Sequence, residues 1–265
     1  MRMERYSTCG SFQRGRGITI SPTIVGTGAN GIVFDAGERL VAKIQPVKRI
    51  TVREFASEVN ASLEMGELGL APRVHSFALI RHFDVGAATQ APATSDSTFC
   101  QLGEIDQKYV SVLVLARMDG TLQTQPLSSV RQYRPSLLQL MRRLAAQPQQ
   151  TWLPLDINAF NILVRKAERT VVFSDFGADW MFGLPPLTDT PTRYAILLFM
   201  TMACLTAPLT RALSLELEFA EVPIAVRARA IGLLQQSKQA MQVIQHYRRR
   251  VVRKLMGEAR RAEAD

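Results

Sequence analysis

The residues best suited to chemistry in this chain are a glycine-rich run, one lysine within a strand-like segment, and a set of acidic and amide side chains. The glycine-rich run is Gly26-Thr27-Gly28-Ala29-Asn30-Gly31, followed by Ile32-Val33. Glycines let a backbone approach a phosphate closely and adopt positive φ without steric cost. A dinucleotide-binding turn has the same spacing but needs a helix directly after the glycines. Strand-like residues follow here, so the run predicts a glycine loop between two strands, with an ordinary glycine-rich hairpin as the alternative.

Lys43 lies in the middle of the strand-like run Leu40-Val41-Ala42-Lys43-Ile44. Lysine is uncommon within strands, so it is either an edge-strand residue with its amine in solvent or an amine aimed at phosphates and paired with a carboxylate. Two glutamates on the next predicted helix compete for that pairing. Glu54 belongs to a capping box with Thr51, whereas Glu58 borders the apolar face of the helix. We therefore expect Lys43 to pair with Glu58.

Acidic and amide side chains also recur in the second half of the chain. Asp156 and Asn161 form a DxxxxN motif that precedes the apolar run Ile162–Val164. The tripeptide Asp175-Phe176-Gly177 follows a second apolar run, Val171–Phe173. A carboxylate can accept the proton of an attacking hydroxyl, and oxygen ligands suit Mg²⁺. Each motif is common by itself, but the ordered set is not.

This ordered set resembles the protein-kinase superfamily over residues 23–205, most strongly between Asp156 and Gly177. The resemblance implies an ATP- and Mg²⁺-dependent kinase acting on serine and threonine hydroxyls of proteins. Asp156 would then be the catalytic base, Lys43 and Glu58 its catalytic partners at the phosphates, and Asn161 and Asp175 the metal ligands. The residues implied to contact ATP are Gly26, Thr27, Gly28, Ala29, Asn30, Gly31, Val33, Val41, Lys43, Leu115, Ala116, Met118 and Leu163.

The chain departs from the usual kinase pattern at several positions. Pro154-Leu155 replaces the His-Arg before the catalytic Asp, Asn158 replaces a lysine, and no Ala-Pro-Glu follows Gly177. The chain therefore resembles divergent, compact kinases such as those of large DNA viruses, including the herpesvirus type. Two alternatives stay open: a pseudokinase that serves as an ATP-binding scaffold, and a kinase-fold enzyme that phosphorylates a small molecule.

Positioning these residues requires an α+β fold. The resemblance implies a two-lobed, kinase-like form, with a small β-rich N-lobe containing one helix and a mostly helical C-lobe. Predicted strands lie at Ile18–Ser21, Thr23–Val25, Gly31–Ala36, Leu40–Gln45, Arg73–Ile80 and Val110–Leu115. Helical periodicity begins at Thr51 and recurs over Ser136–Ala146, and the apolar run Ala195–Leu205 predicts a buried helix.

The predicted organisation has four parts: a mobile basic tail at 1–17, an ATP-binding N-lobe at 18–118, a C-lobe with the catalytic loop at 119–245, and a basic segment at 246–265. Residues 84–108 predict a surface loop. The basic segment lies outside the motifs, so truncation after Gln245 is expected to preserve catalysis. It could serve nuclear import or bind an acidic partner.

Composition excludes several classes of protein. Of 265 residues, 47% are hydrophobic and 21% are charged, which excludes a fibrous or wholly disordered chain. The net charge of +9 is concentrated at the two ends, so the middle does not predict a nucleic-acid platform. The longest apolar run is far shorter than the roughly 20 residues that cross a bilayer. With three dispersed cysteines and no signal-like segment, we expect an intracellular protein, cytoplasmic or nuclear, in its own cell or a host cell.

Overall fold

The computed structural model describes residues 20–21, 23–28, 31–37, 39–47, 51–81, 109–147, 151–176 and 181–247. It divides into two compact units, an N-terminal unit ending at Arg117 and a C-terminal unit beginning at Met118. The first is built on an antiparallel sheet and the second is mostly helical, so the predicted α+β class is confirmed. Several predictions lie outside the described residues: the tail 1–17, Ala29, Asn30, the capping-box side chains, the loop 84–108, Gly177 and nearly all of the basic segment.

The sheet of the N-terminal unit has five strands among the described residues, in the order β1-β2-β3-β5-β4, and every pairing is antiparallel. The strands are β1 (Ile24–Gly28), β2 (Gly31–Asp35), β3 (Leu40–Val47), β4 (Val74–Arg81) and β5 (Tyr109–Ala116), and helix α1 (Thr51–Glu67) lies between β3 and β4 in the chain. The predicted strand at Ile18–Ser21 is wrong in its described part, because Ile20 and Ser21 are not in a strand. The backbone of Asp35 makes the hydrogen bonds here: its carbonyl oxygen accepts from the Ser21 N–H, and its N–H donates to the Thr23 carbonyl oxygen. These two bonds are isolated and do not form a strand ladder.

The two faces of this sheet differ in what they carry. Alternation along β2 and β3 places Phe34, Ala42 and Ile44 on one face, where they are buried in a cluster with Val112 and Val114 of β5. Their neighbours in the chain point to the opposite face. On that side α1 packs through Phe55 and Val59 against Leu113.

The C-terminal unit combines short strands with helices. The strands are β6 (Gly120–Thr121), β7 (Trp152–Pro154), β8 (Ile162–Arg165), β9 (Thr170–Phe173) and β10 (Met181–Gly183). The α-helices are α2 (Leu127–Val130), α3 (Arg134–Ala145), α4 (Thr190–Cys204), α5 (Ala207–Ala212), α6 (Leu215–Glu221), α7 (Ile224–Gln236) and α8 (Lys238–Tyr247). Every residue from Ala195 to Leu205 is buried, so the predicted buried helix is confirmed.

A buried carboxylate joins three helices of this unit. Glu218 of α6, only 7% exposed, accepts from Arg134 and Arg142 of α3 at 2.9 and 2.5 Å, and from the Tyr194 hydroxyl of α4 at 2.8 Å. Burial, followed by the hydrogen bond to Glu218, raises the pKa of Tyr194. Because two guanidinium groups offset the buried charge, this cluster holds α3, α4 and α6 together without any link to the predicted motifs.

Helix α8 runs through to Tyr247. The predicted segment boundary after Gln245 therefore lies within the last turn of a helix whose Ala240, Val243 and Ile244 are buried. Within the described residues, no helix combines the length and apolar character needed to cross a membrane.

Candidate active site

The glycine-rich run forms a hairpin rather than the start of a helix. β1 and β2 pair antiparallel, with Gly28 opposite Gly31, so Ala29 and Asn30 connect them. A strand follows the glycines, which excludes the dinucleotide-binding alternative. The expected positive φ is absent: among the described glycines it occurs at Gly37, Gly69 and Gly120 only.

Packing accounts for one of the three motif glycines. A Cβ at Gly31 would lie 2.6 Å from the carbonyl oxygen of Ile44, a backbone atom of β3. Gly31 is thus required for close approach of β2 and β3. A Cβ at Gly26 would meet only the Cβ of Val33, at 4.0 Å, so packing within the sheet leaves Gly26 free for another purpose.

Lys43 and Glu58 form the ion pair that the sequence predicts. Lys43 Nζ donates to Glu58 Oε1 at 2.7 Å, and the two side chains are 16% and 9% exposed. Lys43 is therefore not an edge-strand lysine, since β3 lies between β2 and β5. Glu58 faces the sheet because it lies one residue before Val59 and three after Phe55, which anchor α1.

Three other predicted residues share the sheet face of Lys43. Val33 of β2 lies directly opposite Lys43, and Val41 of β3 lies directly opposite Leu115 of β5. All three are half-buried. The face therefore presents one ammonium group, paired with Glu58, beside a strip of branched apolar side chains.

The backbone N–H groups of the three residues after Leu115 differ in their hydrogen-bond partners. The N–H of Ala116 donates to Arg73 O at 2.9 Å, and that of Arg117 to Arg39 O at 2.7 Å. The Met118 N–H makes no backbone hydrogen bond in the described part of the chain. Of these three N–H groups, that of Met118 is therefore the one without a backbone acceptor among the described residues.

In the C-terminal unit, Asp156 is held by two amide side chains. Its Oδ1 accepts from Asn158 Nδ2 at 2.8 Å, and its Oδ2 accepts from Asn161 Nδ2 at 3.0 Å. Asn161 Nδ2 also donates to the backbone oxygen of Asp156 at 3.0 Å. Both carboxylate oxygens are thus oriented by neutral donors, and each keeps further lone pairs for a proton or another donor.

Strand register brings Asn161 next to the segment that contains Asp175. β8 and β9 pair with Ile162 opposite Phe173, and the pairing continues when Ser174 N–H donates to Asn161 O at 2.9 Å. Asp175 comes immediately after. It is exposed and has φ 62°, a left-handed conformation that Asp tolerates better than most residues and that is frequent at functional sites.

The donor chemistry here fits a magnesium ion. Both partners of Asn161 Nδ2 are acceptors, so the amide nitrogen must face Asp156 and the oxygen Oδ1 must point away from it. Asn161 Oδ1 and the Asp175 carboxylate are therefore oxygen donors on adjoining segments. Among the described residues, no group of three or more His, Cys, Asp or Glu is placed to hold a metal ion. Mg²⁺ typically uses one or two carboxylates together with substrate phosphates.

The remaining predicted residues flank this arrangement. Phe176 is buried and packs edge-on against Trp152 of β7, with ring centroids 5.9 Å apart, which anchors the chain directly after Asp175. Leu163 alternates with the buried Ile162 and Val164 and is half-buried on the other face of β8. It offers an apolar surface on the strand that begins beside Asn161.

Two residues at this site were missed by sequence reasoning. Asn158, noted only as a missing lysine, uses all its hydrogen-bonding positions: Oδ1 accepts from the N–H groups of Phe160 and Asn161, and Nδ2 donates to Asp156 and to the Tyr247 hydroxyl. Burial, followed by the Asp156 charge and a hydrogen bond to Asp156, raises the pKa of Tyr247. An amide two residues after the Asp is a signal for Asn158, but no local pattern indicates Tyr247.

No family model matches the chain, and no curated protein matches its sequence.

Proposed function

We infer that this protein is an ATP- and Mg²⁺-dependent phosphotransferase of the protein-kinase superfamily, acting on serine and threonine hydroxyls of proteins. The observation that carries this inference is the arrangement at the start of β8 and the end of β9. One carboxylate is oriented by two amides, and one of those amides shares a backbone hydrogen bond with the residue before Asp175. Phosphoryl transfer requires positioning and charge neutralisation more than covalent chemistry; this arrangement would supply positioning, and Lys43 and Mg²⁺ would supply the charge neutralisation.

In the N-terminal unit, Lys43 would bind the α- and β-phosphates. A lysine held by Glu58 at 2.7 Å would keep its ammonium in one place, and an ammonium group carries three hydrogens that can donate to oxygen atoms. Val33, Val41 and Leu115 would contact the adenine ring, and the Met118 N–H would donate to it. The glycine hairpin would cover the phosphates, with Gly26 and Gly28 allowing close backbone approach.

In the C-terminal unit, Asp156 would accept the proton of the attacking hydroxyl. The acceptor oxygen forms its bond to the γ-phosphorus, the bond to the β-γ bridging oxygen breaks, ADP leaves, and the proton moves to the Asp156 carboxylate. Mg²⁺ held by Asn161 and Asp175 would neutralise charge on the phosphates. Leu163 would contact the face of adenine opposite to the two valines.

Protein acceptors rest on the resemblance of the motifs, and the two alternatives are outcomes of one experiment. Purified protein is incubated with γ-labelled ATP and Mg²⁺, with casein or histone as acceptor, beside thermal shifts with ATP in the presence and absence of Mg²⁺. Label on the protein acceptor that is lost in Asp156→Asn supports the proposal. ATP binding without transfer to protein, to itself or to water would instead indicate an ATP-binding scaffold. Label that enters only small molecules of an extract would indicate a small-molecule kinase.

A further inference from the structure

The hydroxyl of Tyr247 is hydrogen-bonded to the Asn158 amide, which also binds the carboxylate of Asp156. Asn158 Nδ2 has two hydrogens: one goes to Asp156 Oδ1 at 2.8 Å and the other to the Tyr247 oxygen at 3.1 Å. The orientation of the Asn158 amide is fixed, because its oxygen faces the backbone N–H groups of Phe160 and Asn161. The Tyr247 oxygen thus accepts from Asn158, and its own hydrogen is free to point to the adjacent carboxylate of Asp156.

This hydroxyl belongs to a part of the chain distant in sequence. Tyr247 is the last residue of α8, 89 residues after Asn158. Helix α8 packs against the buried helix α4, and the last residue of α4, Cys204, donates from Sγ to the backbone oxygen of Leu155 at 3.4 Å. Cys204 therefore holds the loop before Asp156 on the α4 side. Tyr247 approaches Asp156 from the packed helical core, whereas Asp175 is exposed.

We propose that Tyr247 and Asn158 are positioning residues, which together fix the carboxylate of Asp156 in the orientation needed to accept a proton. Without the Tyr247 hydroxyl, one Asn158 hydrogen loses its partner, so the amide that holds Asp156 Oδ1 is itself less restrained. The assignment rests on the proposed function, because the carboxylate is aimed for phosphoryl transfer. The last residue of α8, which the sequence analysis placed in a dispensable segment, would thus help to position the carboxylate of Asp156.

The test compares two tyrosine-to-phenylalanine variants in the full chain. Tyr247→Phe removes the hydroxyl and keeps the ring. Tyr194→Phe is the matched control, since its hydroxyl is also hydrogen-bonded to a side chain of the C-terminal unit, the carboxylate of Glu218. We expect Tyr247→Phe to lower kcat about 10- to 100-fold, the scale of a misplaced catalytic group, with KM for ATP unchanged. Tyr194→Phe should keep the wild-type kcat at a temperature where both variants are folded.

Each outcome separates this inference from the proposed function. A wild type that transfers no phosphate overturns both. A wild type that transfers phosphate beside a Tyr247→Phe variant with wild-type kcat overturns the positioning role alone. Equal losses of kcat in the two tyrosine variants also overturn it, because a general effect of instability would then explain the result.

A second variant and a second readout keep the inference testable if Tyr247→Phe does not fold. Asn158→Asp keeps the oxygen that caps Phe160 and Asn161 but removes the donor to Asp156 and Tyr247, so kcat should fall while ATP binding is retained. Wild-type kcat in Asn158→Asp overturns the role. Where Tyr247→Phe folds, urea unfolding is compared for Tyr247→Phe, Asp156→Asn and the double variant. The losses in unfolding free energy should be non-additive, because both side chains are hydrogen-bonded to the same Asn158 amide. Additive costs overturn the contact.

Discussion

The predicted site residues of the two units are positioned in different ways. Lys43 and Glu58 lie on a strand and a helix only 15 residues apart, and each faces its partner because of the periodicity of its own element. Asp156 lies in a loop, where Asn158 and Asn161 hold its carboxylate, and a tyrosine 89 residues beyond Asn158 is bonded to the Asn158 amide. Regular elements thus position the Lys43–Glu58 pair by themselves, whereas the loop around Asp156 also depends on a side chain from elsewhere.

The two units also differ in how charge is balanced. The Lys43–Glu58 pair brings two opposite charges together in a largely buried position, so removing Lys43 takes away the cation that holds the Glu58 carboxylate. Asp156 is held by neutral donors, so removing its charge leaves no buried ion behind. Substitutions should therefore mainly affect stability in the N-terminal unit and mainly affect rate in the C-terminal unit.

The largest effect is expected at Asp156. Asp156→Asn removes the base and should lower the rate of phosphate transfer about 10²- to 10⁴-fold, with ATP and Mg²⁺ binding retained in a thermal-shift assay. The structure adds a cost that the sequence did not predict. An amide at this position brings a donor against the Nδ2 of Asn158 or Asn161, so stability should fall by about 1 kcal/mol.

Asp189→Asn is the matched control for this substitution. Asp189 is the N-cap of α4, and Asn serves as an N-cap as well as Asp does. Its transfer rate should equal that of wild type in the same labelled-ATP assay. Transfer by Asp156→Asn within a few-fold of wild type would show that this carboxylate is not the base.

The next largest effect is expected at Lys43. Lys43→Met should abolish transfer and weaken ATP binding, and it should also leave Glu58 buried without a partner. We expect an unfolding free energy lower by about 3 kcal/mol, measured by urea denaturation.

Two further variants test whether burial causes that loss. The double variant Lys43→Met with Glu58→Gln removes the stranded charge, so it should regain most of the stability but none of the transfer. Arg117→Met breaks the ion pair with Asp35, which has the same 2.7 Å length in the same unit but side chains that are 42% and 27% exposed. It should cost much less stability than Lys43→Met does, because an exposed ion pair contributes little. Equal costs for Lys43→Met and Arg117→Met would contradict the role given to burial.

A smaller effect is expected from two truncations at the end of α8. A chain ending at Tyr247 keeps the hydroxyl that reaches Asn158, whereas a chain ending at Gln245 loses it. The shorter chain should transfer phosphate at least about tenfold more slowly than the longer one, in the same labelled-ATP assay with ATP affinity measured alongside. Equal rates would restore the sequence prediction that everything after Gln245 is dispensable for catalysis.

What the sequence predicted follows from the range of the interactions involved. Helical periodicity was sufficient to choose Glu58 over Glu54, and a long apolar run was sufficient to predict the buried helix α4. Three-residue strands such as Trp152–Pro154 and Met181–Gly183 are too short to show alternation. Tyr247 and Glu218 act through contacts far along the chain, and neither position carries a local signal. The kinase roles of the motif residues stay a prediction.

The smallest effect is expected at the charge of Asp189. The Thr192 N–H, and after it Arg229, lower the pKa of Asp189 below its usual 3.8. Since the folded-state pKa is the lower one, the stability contributed by this charge is present above about pH 4 and is lost as pH falls through the folded pKa. The Arg229 contact is largely exposed, so Asp189→Asn should cost about 0.5 kcal/mol or less at pH 7. The difference in unfolding free energy from wild type should disappear below the folded pKa.

Urea denaturation of both proteins between pH 7 and pH 3, at constant ionic strength, measures this difference. A difference that stayed constant to pH 3 would show that the charge of Asp189 contributes nothing. Unlike Asp156, this carboxylate is held by a backbone N–H and an exposed arginine, so its loss should change stability slightly and phosphate transfer not at all.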